Sequence, residues 1–185
     1  MVARGRVVSA WDPAQWRAGY ARQARADLQA RACLIRGEGL AACAQLHFPQ
    51  MAVEKLCRAY RCFVGEDPSS LQSSHAYARK HLPQVVRHYA GIGGVDDNAL
   101  RGLLRFVRQL AGVIDLLHPQ ANLGGARPDN CEYPWETVGP QVVAPCDYTF
   151  PILSSRVADP RWRQVERVIA RAVEDLAKDP SATGG

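Results

Sequence analysis

The sequence predicts an all-α fold: one four- to five-helix bundle, with an irregular Pro/Gly-rich segment between the last two helices. Three observations carry that expectation. Leu100, Leu103, Leu104, Val107, Leu110, Ala111, Ile114 and Leu117 recur at clean helical spacing. Leu46, Val53 and Tyr60 repeat every seven residues, the stripe of a helix in a bundle. Asp12-Pro13 and Asp159-Pro160 both read as helix starts, because Asp caps and the first helical position has no use for the N–H that Pro lacks. A chain of 185 residues suits a single domain, here with its core across about 12–177, and can bury a real core without staples.

The elements follow in order. The first helix opens at "WDPAQW", with Gln15 completing a capping-box-like arrangement. It should reach about Arg36, with Trp16, Tyr20, Ala24, Leu28 and Ile35 inward, and stop at Gly37 and Gly39. The second spans roughly 40–64, with Met51, Leu56, Cys57, Phe63 and Val64 filling around its heptad stripe. Pro49 falls inside it, at a cost of ~3 kcal/mol in a straight helix. Phe48 is a poor cap for a fresh start, so a kinked continuous helix is expected, splayed to let the 119–158 segment cover an apolar seam. The loop "GEDPSSLQSS" leads to a third helix near 75–90, which Pro83 bends or divides. "GIGGVDD" breaks the chain, and Asp96 or Asp97 caps the fourth helix, which stops before Pro119. Residues 119–158 admit no long helix; short extended pieces should pack Tyr133, Trp135, Tyr148 and Phe150 on the bundle. The last helix turns Trp162, Val165, Val168 or Ile169, Ala172 and Leu176 inward, and "KDPSATGG" frays.

Composition narrows the function classes. Hydrophobic residues make up 47% and charged ones 22%, ordinary values for a globular chain, and no apolar run approaches the roughly 18–20 residues of a membrane span. "MVARGRVVSAW" has no apolar stretch of signal-peptide length, so the expected compartment is the cytosol, with no membrane partner. The six cysteines include no Cys-x-x-Cys, which favours reduced, structural thiols over disulfides or a metal site. A formal charge of +5, carried mainly by arginine, is compatible with a nucleic-acid partner. No phosphate loop, dinucleotide fingerprint or nucleophile elbow is present, so no cofactor is expected.

Three clusters carry candidate chemistry. On the second helix, Glu54, Lys55, Arg58 and Arg61 form a polar side that suits a phosphate or a partner chain; the plainer alternative is a solvated i,i+4 pair between Glu54 and Arg58. On the fourth, Arg101, Arg105 and Arg108 recur at i, i+4 and i+7 as a possible phosphate track, or simply as the wet side opposite the leucines. Arg163, Arg167 and Arg171 make a similar stripe on the last helix, diluted by Glu166, Glu174 and Asp175. The third cluster, "SHAYARKHLPQVVRHY", gathers His75, Arg79, Lys80, His81, Arg87 and His88, side chains able to furnish an acid–base pair and a cation, or ordinary surface roles. His75 and His81 are six apart and no matching acidic cluster follows, which weakens the case for a metal site.

"PQMAVEKLCRAY" is similar to the second-helix pattern of the HEPN family of small helical-bundle proteins: Gln, small residues, then Glu-Lys-Leu and a basic residue before Ala. "WRAGYARQARADLQAR" resembles that family's first helix, "SSHAYARKHL" its His-led third, and "NCEYPW" the Tyr-Pro segment after the fourth. The likeness covers about 16–177. It implies a helical bundle, often a homodimer, in a family of RNA-cleaving toxins, defence nucleases and non-catalytic RNA- or nucleotide-binding members. Many are encoded beside a nucleotidyltransferase-like partner. The nuclease branch uses Arg, four to six residues, then His, and this chain departs from it: eight residues separate Arg79 from His88, and nine separate Arg108 from His118. The expectation is therefore RNA or nucleotide binding without cleavage, with Lys55, Arg58, Arg101, Arg105 and Arg108 as contacts. The alternatives are a metal-independent ribonuclease toxin with a rearranged site among Arg79, His81, Arg87 and His88, and a structural dimerisation module.

Overall fold

The computed structural model of the protein describes residues 12–36, 41–71, 77–119, 130–136, 141–152 and 159–178. Five long helices make the bundle: α1 (Pro13–Leu34), α2 (Ala42–Phe63), α3 (Ala78–Ile92), α4 (Asp97–Leu116) and α5 (Pro160–Leu176). Between α4 and α5 lie two short antiparallel strands, β1 (Trp135–Glu136) and β2 (Val142–Val143), with Trp135 opposite Val143. The all-α expectation holds. Among the described residues no helix is long and apolar enough to cross a membrane.

Local chemistry explains the boundaries. Asp12, Asp96 and Asp159 each accept a hydrogen bond from a backbone N–H in the first turn of α1, α4 and α5. α2 and α3 end alike. Glu66 N–H reaches Arg61 C=O and Gly65 N–H reaches Cys62 C=O; Val95 to Ala90 and Gly94 to Gly91 repeat the pattern. Both turns need a left-handed residue, and glycine supplies it at Gly65 (φ +92°) and Gly94 (φ +72°). Pro83 neither divides nor ends α3, which runs unbroken through it. Gly37, Gly39, His75 and the C-terminal tail from 179 lie outside the described residues.

The core is continuous across all five helices, with Leu56, Leu82, Phe106, Leu110, Val165 and Leu176 among its fully buried members. α1 differs from expectation. Its buried stripe is Ala18, Ala21 and Ala24, while Trp16, Tyr20 and Leu28 sit at the margins and Ile35 is 49% exposed. α1 packs chiefly on α2, where Ala52 and Ala59 are also fully buried, and small side chains on both helices permit close packing. Phe63 and Val64 are exposed too, because α2 ends there.

α2 continues across Pro49, which is buried. The irregular segment packs on the same half of the helix: Cys131 Sγ lies 3.9 Å from His47 Nδ1, and Ile152 walls one cavity with Pro49. Trp135, Tyr148 and Phe150 stack edge-to-face at 5.2 and 4.9 Å, tying the strands to the core. Tyr133 instead points to solvent, because Asn130 holds the backbone of Glu132 and Tyr133 in a tight turn.

Candidate functional site

The polar side of α2 is an interior network. Lys55 Nζ donates to Asp27 on α1 at 2.7 Å, and Arg58 donates to Glu54 at 2.6 Å, with the Arg58 and Glu54 side chains only 12% and 11% exposed. Gln50, also buried, donates to Glu54 through its amide nitrogen. The Arg58 guanidinium lies 4.9 Å from the Tyr77 ring and 5.8 Å from Tyr20; Arg61 stands 5.5 Å from Tyr77 and pairs with Glu66. Tyr77 donates its hydroxyl to Leu71 C=O. Lys55 and Arg58 are thus engaged in joining α1, α2 and the entry to α3. The Glu54–Arg58 pair is not on a solvated face.

The entry to α3 is capped from outside its own sequence. Asp115, near the end of α4, accepts from Ala78 N–H and Arg79 N–H, both at 2.8 Å. Burial raises its pKa, and those two bonds act the other way. This contact sets α3 and α4 antiparallel, with the Gly94 turn at the opposite end.

The outer face of that hairpin carries the remaining candidates. Arg79, Lys80 and Arg87 on α3, and Arg101, Arg105 and Arg108 on α4, are all exposed. The acidic residues of the hairpin are Asp96 and Asp97, at the turn, and Asp115, which is buried against the α3 start, so all six of these cations are exposed with few carboxylates on their own two helices. Arg101 is held by Asn98. Arg87 and Arg108 come together: with His88, Tyr60, Pro83 and Gln84 they wall an open pocket of about 490 Å³. Among the described residues neither Arg87 nor Arg108 has an ion-pair partner. His88 is half-buried, with Tyr89, Phe63 and Tyr60 at ring distances of 4.9, 5.6 and 5.8 Å.

His81 does not join them. It is 4% exposed beside Tyr77, and burial, reinforced by Arg61 and Lys80, lowers its pKa to about 4. It is a neutral core histidine at pH 7. Arg79 belongs to the α3 entry and does not line the Arg87–Arg108 pocket.

A second polar cluster lies outside the three that the sequence suggests. His47 Nδ1 and His118 Nε2 lie 3.8 and 4.0 Å from the same oxygen of Glu132, beside buried Cys131, whose thiol burial pushes up to about 12. Its members come from α2, the end of α4 and the irregular segment, and no spacing in the chain announces it. Among the described residues no group of three or more His, Cys, Asp or Glu is arranged to hold a metal ion. All six cysteines are free thiols.

No protein-family model, curated protein or solved structure matches this chain.

Proposed function

We propose that the chain is a HEPN-like helical protein that binds RNA or a nucleotide by its phosphates, without cutting it, and acts with a partner protein in a toxin–antitoxin or defence-type system. One observation carries the binding: Arg87 and Arg108, from different helices and without carboxylate partners among the described residues, wall the same pocket. Two guanidinium groups sharing a concavity repel each other, and an anion placed between them relieves that repulsion. Guanidinium is suited to phosphate because its fork of N–H groups matches two phosphate oxygens. Lys80, Arg101 and Arg105 extend the positive field along the hairpin, and Tyr60 and His88 offer rings beside the cations. The homodimer and the nucleotidyltransferase-like companion are taken over from the family resemblance.

Two observations support binding without cleavage. His81 is buried and neutral, and the family's Arg/His spacing is not found in the sequence. Fluorescence titration of a labelled single-stranded oligoribonucleotide tests the binding. The logarithm of affinity should fall linearly with the logarithm of salt concentration. Arg87→Ala and Arg108→Ala should each weaken binding for every sequence and reduce the slope by about 0.7. Affinity that ignores salt, or variants that bind like the native protein, would rule this reading out.

One observation favours the nuclease alternative: His88 lines the pocket that holds both arginines, and ribose cleavage needs a base near the 2′-OH and a cation near the phosphate. A mixed RNA pool incubated with the protein decides between them. Intact RNA is expected; cutting that disappears in His88→Ala would select the enzyme.

A further inference from the structure

On the side of the bundle formed by α1, α2 and α5 lies a groove of about 240 Å³, walled chiefly by Leu28, Val53, Ile169, Ala170 and the Pro49 ring. A smaller cavity of about 30 Å³ adjoins it, sharing Arg31, Pro49 and Trp162 with the groove and adding Gln50. Three buried polar atoms belong to residues of this small cavity and have no hydrogen-bond partner among the described residues: Trp162 Nε1, Arg31 Nε and Gln50 Oε1. The Gln50 orientation is set by chemistry. Its amide nitrogen donates to Glu54, whose carboxylate only accepts, so the carbonyl oxygen is the atom left over. A buried donor or acceptor without a partner is destabilising, and three on residues that line one cavity can be satisfied by a single partner placed in it.

Two donors and one acceptor define that partner. A hydroxyl oxygen accepts twice and donates once, which matches Trp162 N–H, Arg31 N–H and the Gln50 carbonyl. The cavity is large enough for a group of that size, since about 10–15 Å³ holds a water. The adjoining groove is apolar, and its volume falls just below the roughly 300 Å³ at which drug-sized pockets begin, so it suits a fragment-sized body. The charged residues lining it, Arg31 and Glu166, are paired with each other, which disfavours a charged ligand. Arg31 is further fixed 6.0 Å from the Trp162 ring.

We propose that the α1–α2–α5 groove is a binding site for a small uncharged alcohol or phenol, its hydroxyl held by Trp162, Arg31 and Gln50 and its apolar body lying against Val53 and Ile169. The site is distinct from the basic α3–α4 face. It also gives Pro49 a role: its ring forms a wall common to groove and cavity.

The test is a titration of the full chain with p-cresol and, separately, toluene, read by the indole N–H resonance of Trp162, assigned with Trp162→Phe. p-Cresol should shift that resonance and bind about tenfold more tightly than toluene, the difference expected of a few hydrogen bonds to buried groups. Gln50→Leu should bring p-cresol down towards toluene and leave toluene unchanged. Ala170→Phe, a change at an exposed helix position that fills the groove, should abolish both while the protein stays folded. Equal affinity for the two compounds would overturn the proposal. So would binding that survives Ala170→Phe, or an undisturbed Trp162 resonance at millimolar p-cresol, the result expected if the cavity takes water or another part of this chain.

Discussion

His81 shows how a residue type that suggests catalysis is assigned by its surroundings. In the sequence it is one of a run of basic and imidazole side chains; in the fold it is packed under Tyr77, with its protonated form disfavoured by burial and by Arg61 and Lys80. The sign of its effect on stability follows. The unfolded chain binds a proton at His81 near pH 6.5, and the native chain only near pH 4. Its contribution is therefore fully present above pH 6.5 and is lost as pH falls through that window. His81→Gln should flatten the decline in urea midpoint between pH 6.5 and 4. A variant that declines as steeply as the native protein would show that another group controls the acid limb. Asp175, whose pKa is lowered first by its bond from Lys178 and also by Tyr89, loses its contribution mainly beneath that window. Asp115, raised by burial, acts in the opposite sense as the carboxylates protonate, so the variant is compared with the native protein over the upper part of the window.

At the level of elements, α3 is a helix with no cap of its own. Tyr77 precedes it without a side-chain capping bond, and the first turn carries no acidic residue. Asp115 does that work from α4, so forming α3 depends on docking the hairpin. Asp115→Ala leaves two N–H groups at the α3 start without their acceptor and should cost about 2 kcal/mol, measured by chemical denaturation. Hydrogen exchange should then show residues 78–81 opening ahead of α4. If the loss is spread evenly over the protein, the cap is not specific to α3. α2 offers the complementary case: Lys55 and Arg58, exposed in a helical-wheel reading, are drawn inward by Asp27 on α1 and by the Tyr20 and Tyr77 rings.

For the whole molecule, the question is whether the irregular stretch between α4 and α5 belongs to the bundle. Phe150 is 1% exposed and Ile152 4%, and both join the continuous core. Phe150→Ala should cost about 3–5 kcal/mol, the penalty of emptying a well-packed aromatic site. It should do so in one cooperative unfolding transition detected alike by far-UV circular dichroism and tryptophan fluorescence. Two separate transitions would mark the segment as an appendage. The same scale locates the charge: the α3–α4 hairpin carries Arg79, Lys80, Arg87, Arg101, Arg105 and Arg108 against Asp96 and Asp97 at its turn and the buried Asp115, so its exposed charge is mainly positive.

Periodicity and capping determined the helices, because both act within a few residues. Leu100 to Leu117 can bury one stripe only as a helix, and Asp12, Asp159 and the Asp96-Asp97 pair mark starts, of which the structure picks Asp96 for α4. Spacing along the chain also picked out Arg108, Arg87 and His88 as candidates, but not their meeting. Which cations remain unpaired was decided only when the helices packed, since a neighbour from another helix neutralises Lys55 and none among the described residues neutralises Arg87 or Arg108. The His47–Glu132–His118 cluster and the Trp162–Arg31–Gln50 cavity are products of tertiary structure in the same sense. Their members are brought together by long-range packing, which one-dimensional periodicity does not encode.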